Sequence, residues 1–248
     1  MKFKLEICVD SIESAINAQS AGADRIELCD NMYEGGTTPS FGMIDLVREN
    51  LSIGLHVIIR PRGGDFLYSD PEFDIMRRDI EMCGEAGVDG VVIGILRNNG
   101  RIDTERTSKL IELAQPMSVT FHRAFDVCSD PVEGLEEIIG AGATRLLTSG
   151  QKSIVTEGAE LIKQLVNLAD KRIIVMPGSG LNESNIENMA RYTGAAEFHL
   201  TGRKTIDSGM IFRREGIPMG GITGIPEYTR KISDTERIIN IIKILKMI

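Results

Sequence analysis

The sequence predicts an α/β protein built as a closed barrel of eight parallel strands, (β/α)8, and three observations lead there. Strand-like and helical patterns alternate along the whole chain, eight of each. One connection recurs: Ala21-Gly22-Ala23-Asp24, Ala86-Gly87-Val88-Asp89, Ala141-Gly142-Ala143-Thr144 and Thr193-Gly194-Ala195-Ala196 each close a helical pattern and open a short apolar strand. Glycine there can take the left-handed conformation that ends a helix. Finally, 248 residues is long for an ordinary domain but normal for a barrel of roughly 250 residues. No Gly/Ser-rich linker or shift in composition divides the chain, so residues 1–248 are expected to form one domain.

The elements follow in order. Short apolar, β-branched strands are predicted over 3–9, 25–29, 55–60, 90–94, 118–121, 145–150, 172–176 and 197–200. Helical patterns lie between them at 11–21, 42–50, 71–86, 103–114, 131–140, 154–170 and 185–192, with a C-terminal helix over 234–247. Ser69-Asp70-Pro71 and Ser129-Asp130-Pro131 set a capping side chain before a proline of the first turn. Segment 201–233 is the least regular and is expected to cover the barrel mouth. The isoleucines of the terminal helix suit packing on the barrel or an interface between copies in a homo-oligomer.

Composition bounds the function. Hydrophobic residues make up 42% and charged residues 26%, as in soluble globular proteins. A net charge of −8 argues against non-specific nucleic-acid binding and anionic membranes. No apolar run approaches the roughly 20 residues of a membrane span. The N-terminus enters a strand pattern without the apolar core of a signal peptide, so a cytoplasmic protein is expected. Cys8, Cys29, Cys83 and Cys128 form no CxxC pair and are expected as free thiols.

Alternation along the strands gives one parity to Glu6, Cys8 and Asp10, and one to Arg25, Glu27 and Cys29. Thr120 and His122 share another, as do Glu197, His199 and Thr201. Helices cover the outside of a barrel, so these polar sets should face the lumen. A lumen holding Glu6, Glu27, Arg60, His122 and His199 suits either a buried ion-pair network or a site at the carboxyl ends of the strands.

Several strand ends carry groups suited to an anion. Arg60-Pro61-Arg62-Gly63-Gly64-Asp65 offers planar donor forks and glycines that admit a ligand. Arg60 could equally pair with Glu27 or Glu6. Met176-Pro177-Gly178-Ser179-Gly180 follows the seventh strand, where many barrels bind phosphate through backbone N–H groups, and Thr201-Gly202-Arg203 follows the eighth. Ser149 ends the sixth strand, and Arg123 and Asp126 follow the fifth. For proton transfer the candidates are Glu27, His122 and Asp126. His56, early in its strand, fits a satisfied core histidine. For metal there is no HExxH and no CxxC; Cys8 and Cys29 end adjacent strands with lumen parity, where they would be a soft pair suited to Cu(I) or two buried thiols.

These same residues carry a resemblance. Glu27-Leu28-Cys29, Glu34 through Gly42, Ile59-Arg60-Pro61-Arg62-Gly63-Gly64-Asp65-Phe66, Thr120-Phe121-His122-Arg123-Ala124-Phe125-Asp126 and Leu147-Thr148-Ser149-Gly150 resemble the signature blocks of the CutC family, named for copper homeostasis. The blocks run in order along the barrel. The resemblance implies a cytoplasmic, oligomeric TIM barrel that handles copper, with Cys29 and Cys8 as Cu(I) ligands. The alternative is a barrel enzyme of unknown reaction on a small anionic or phosphorylated metabolite. Its pocket would use Arg60, Arg62, Asp65, Arg123, Ser149, Gly178, Ser179, Gly180 and His199.

Overall fold

Strands of four to six residues, each ended by a turn and a returning helix, wrap into a barrel. The computed structural model describes residues 3–214, 216–217, 219–220 and 224–248. In chain order the elements are β1 (Lys4–Val9), α1 (Ile12–Ser20), β2 (Arg25–Leu28), α2 (Phe41–Asn50), β3 (Gly54–Ile58), α3 (Asp70–Glu85) and β4 (Gly90–Ile93). They continue with α4 (Thr104–Ala114), β5 (Ser118–Phe121), α5 (Pro131–Ala141), β6 (Arg145–Thr148), α6 (Ala159–Ala169), β7 (Ile174–Pro177), α7 (Ile186–Thr193) and β8 (Glu197–Leu200). An antiparallel ribbon of β9 (Arg203–Asp207) and β10 (Thr229–Ser233) precedes the last helix, α8 (Thr235–Lys246).

The sheet runs β7-β6-β5-β4-β3-β2-β1-β8, with parallel neighbours throughout. β7 meets β8 through a single bridge, Gly178 opposite His199. The predicted (β/α)8 architecture is the one observed.

Strand alternation splits the interior in two. Ile7, Val9, Ile26, Leu28, Val57, Val91, Phe121, Leu146 and Phe198 face outward into a continuous core beneath the helices. Each such side chain stabilises the fold by about 1.5–3 kcal/mol. The inward apolar cluster is small: Cys8, Cys29, Ile58 and Val92, with Met32 against it. Leu147 at the mouth and Met176 beside Arg25 add apolar surface, and most of the rest of the lumen is polar.

Three differences from the sequence reading have local causes. α6 begins at Ala159 rather than 154 because the chain must first pass over the end of β6. There a Cβ on Gly158 would overlap the Ser149 carbonyl oxygen, so residues 151–158 form a loop. β7 runs Ile174–Pro177, shifted towards the mouth from the expected 172–176. Segment 201–233 is not wholly irregular, since its two ends pair as the ribbon; residues 215, 218 and 221–223 lie outside the described part. The ribbon packs on α1, where Asn17 Nδ2 donates to the Ser233 carbonyl at 3.0 Å and Ser233 N–H to Ser14 Oγ at 3.2 Å. Of this segment's described residues, Thr201 alone lines the mouth cavity.

Candidate functional site

The polar lumen is layered. In the deeper layer Glu6 on β1 accepts from Arg25 Nε on β2 and lies 2.7 Å from His199 Nδ1 on β8. Arg25 Nη2 lies 2.6 Å from Glu197, which also pairs with Arg145 Nε of β6 at 2.8 Å. His56 Nε2 is 3.1 Å from Ser118 Oγ. The buried ion-pair network anticipated as one alternative therefore exists, and it occupies this layer. Burial raises the Glu6 carboxyl, but Arg25 and His199 outweigh it and hold Glu6 well below the carboxylate range.

Besides the Val92 side chain, β4 and the residue that follows it contribute space. A Cβ on Gly90 would lie 2.6 Å from Ser118 Oγ and 2.7 Å from the His56 ring, and one on Gly94 would overlap the His122 ring. Each glycine thus seats a histidine from a flanking strand.

Above the network three sulfurs converge. Cys8 Sγ is 3.5 Å from Cys29 Sγ and 3.7 Å from Met32 Sδ. Cys29 Sγ lies 3.5 Å from Glu27 Oε2, which is 3.6 Å from His199 Nε2. Cys8, Glu27 and Cys29 present ligand atoms all within 4.8 Å of one another, and all three are buried. The Cys29 S–H, and His199 after it, stabilise the Cys8 thiolate and bring its pKa down to about 5. Cys29 is pushed up in consequence. Burial, then the Cys8 charge, raises Glu27. Burial disfavours the His199 cation, but Cys8, Glu27 and Glu6 prevail and raise its pKa. Cys83 and Cys128 are free and buried elsewhere, pushed by burial to about 12 and about 11.

These sulfurs sit beneath a cavity of about 270 Å³ at the carboxyl ends of the strands. Of the residues singled out by sequence, Cys8, Glu27, Arg60, His122, Arg123, Ser179, Gly180 and His199 line it. Cys29 lies just below, in contact with Cys8.

The remaining candidates are placed differently. Arg62 turns away from the cavity to Glu72 at 2.5 Å and Asp65 at 2.9 Å, so neither Arg62 nor Asp65 reaches it. Gly178 spends its N–H on the Thr148 carbonyl at 2.9 Å and has none for a ligand. Asp126 accepts from Thr148 Oγ1, the Ser149 and Gln151 N–H groups, Ser149 Oγ and Arg123 Nε. It is a clasp between the ends of β5 and β6 and has no lone pair left for proton transfer; Ser149 is held in the same clasp. Arg60 pairs with neither Glu27 nor Glu6. Its Nη1 donates to the Glu34 and Gly36 carbonyls at 2.7 Å each, and its Nη2 to Gly64 O at 2.8 Å. His122 Nδ1 accepts from the Ala124 N–H at 3.1 Å. Burial, then the Arg60 charge, pushes its pKa down to about 3. Met32, on a short 3₁₀ turn after β2, was missed by sequence reasoning; its one signal was lying three residues past Cys29.

Known proteins align with this chain over most of its length. The CutC family model matches residues 3–204. The CutC protein of Bacteroides thetaiotaomicron is 49% identical over 246 residues, 99% of each chain. The human copper homeostasis protein cutC homolog is 47% identical over 236 residues, 95% of this chain and 86% of the human one. A solved structure from Streptococcus agalactiae, assigned as the copper homeostasis protein CutC, superposes with a TM-score of 0.77 at 37% identity, covering 80% of this chain and 98% of that one. The chain belongs to the CutC family.

Proposed function

We propose that this protein acts in copper homeostasis by binding Cu(I) as cargo between Cys8 and Cys29. The approach of their sulfurs to 3.5 Å, with Met32 Sδ at 3.7 Å from Cys8, carries the reading. Two thiols and a thioether form the soft donor set that monovalent copper prefers, and they offer little to hard cations. The copper-homeostasis names of the human and mouse relatives support it. A thiolate at Cys8 at neutral pH suits it as well, because metal ligation requires the deprotonated sulfur. Loading would displace the Cys29 proton, with the Glu27 carboxyl nearest to receive it.

A free dithiol persists in a reducing compartment, which favours the cytoplasm. The exposed Met210, Ile211, Phe212 and Met219 favour assembly with further copies of the chain.

The test is an anaerobic titration with Cu(I) against a chromophoric Cu(I) chelator. One tightly held ion per chain is expected. Cys8→Ser and Cys29→Ser should each weaken binding by more than about a hundredfold, since losing even a group that hydrogen-bonds to a metal ligand costs ~10–100-fold. Met32→Leu should weaken it less, and Cys83→Ser not at all. Parent-like affinity in Cys29→Ser would end the reading.

A further inference from the structure

Arg60 is 4% exposed and its charge is unbalanced. Its terminal nitrogens are spent on three backbone carbonyls, and among the described residues no carboxylate lies within ion-pairing distance of it. Burying a guanidinium without a counter-ion is unfavourable, and natural proteins rarely tolerate it without cause. A second donor beside it is also unsatisfied. Arg60 Nε and His122 Nε2 are both shut off from solvent, and neither has an acceptor. His122 Nδ1 already accepts from Ala124, so the ring proton belongs on Nε2 and points away from that bond. Both residues line the mouth cavity, as does Arg123 at its rim. The carboxylate paired with Arg123, Asp126, is consumed by the β5–β6 clasp. On this wall, then, the Arg60 charge meets no carboxylate among the described residues and His122 Nε2–H no acceptor; the Tyr68 hydroxyl lies close to the guanidinium but brings no charge. At about 270 Å³ the cavity is also far larger than a single metal ion, with room for roughly nine waters at ~30 Å³ each.

We propose that this wall binds a small oxyanion, a carboxylate or phosphate group of a metabolite, as the counter-ion of Arg60 and the acceptor for Arg60 Nε–H and His122 Nε2–H. Arg123 would hold the outer end of the same molecule. Ordered water could satisfy the two donors, but it would leave the Arg60 charge unbalanced. His122 is neutral at pH 7 with its pKa near 3, so it serves as a fixed donor rather than a second cation. The site adjoins the sulfurs, since the Gly36 that accepts from Arg60 Nη1 packs against Cys29, but it uses none of their atoms and does not depend on copper.

The test uses the full chain, reduced and copper-free, in calorimetric titrations with inorganic phosphate and separately with malonate, at ionic strength matched with sodium chloride. Saturable binding of one probe per chain is expected, and the probe that binds identifies the group as phosphate or carboxylate. In ¹⁵N-histidine-labelled protein the His122 Nε2–H resonance should shift as the site fills. His122→Phe keeps the ring and removes the donor; it should weaken binding by about tenfold, the usual consequence of losing one hydrogen bond to a charged group. Arg123→Gln should weaken it further. Arg60→Met is a poorer test, because the Glu34–Gly36 loop folds on that side chain. A Cys8→Ser/Cys29→Ser double variant, lacking the copper thiols, should bind the anion as the parent does, so a failed copper titration leaves this result standing. Neither probe binding beyond the chloride control, or His122→Phe binding like the parent, would overturn the proposal.

Discussion

Glu6 holds Arg25 on one oxygen and His199 on the other, at the level where three strands meet. Taking away one partner of a buried ion pair costs about 3–5 kcal/mol, because the other charge is left stranded. Glu6→Gln should therefore lower the unfolding free energy by that amount, read as a lower urea midpoint at an unchanged denaturant slope, and a change below about 1 kcal/mol would show that water already reaches the layer. The inward set of residues was legible because alternation is a geometric property of any strand, and it correctly put Cys8, Cys29, Glu27 and His199 in one lumen. It failed where side chains leave the strands. Arg62 is captured by Glu72 of α3, ten residues away, and no strand pattern encodes that. Met32 returns to Cys8 only because the chain turns sharply after β2, with Asn31 and Gly35 both at positive φ.

At the scale of elements, the Ala-Gly connections marked the helix-to-strand turns well, since each needs only a local conformation. Gly142 at the end of α5 is left-handed, at φ 95°. The start of α6 was not legible, because it is decided by contact with β6 rather than by its own residues. Gly158→Ala should force the Ser149 and Gly158 backbones apart and destabilise the protein by ~3 kcal/mol or more, the upper end of overpacking costs. Gly140→Ala, in α5 with open space around it, should instead stabilise it by ~0.5–1 kcal/mol. Thermal melts of the two variants should move in opposite directions; a shared sign would mean that the β6–α6 loop yields. The β9–β10 ribbon went unseen for a related reason. Its strands are mostly exposed and lack apolar alternation, with Ile232 and Ser233 alone fully buried.

For the whole molecule the buried histidines set opposite limits on stability. Burial holds His56 at about 4 and His122 at about 3, against the ordinary 6.5 of a histidine. Below about pH 6.5 the unfolded chain binds protons that the folded one refuses. Their contribution is complete above that pH and is lost as pH falls towards the folded values. Glu6, depressed in the fold, adds to the acid loss. His199 acts in the other sense: its raised value stabilises the fold fully below about pH 6.5, and that gain disappears as pH rises through it. The melting temperature should thus be highest near neutral pH and fall steadily below about pH 6.5, with His122→Phe flattening the acid limb. A flat profile from pH 7 to about 4 would contradict the buried placement of these rings.

The lone bridge between Gly178 and His199 has a mechanical meaning. Elsewhere the staves of the barrel are laced by several main-chain bonds; here Pro177 has no N–H to offer, and only one rung holds. Thermal breathing should begin along that line, next to the thiols and the Arg60 wall. Deuterium uptake at 178–181 and 199–201 should outpace every other strand end, and it should slow when cargo fills the mouth.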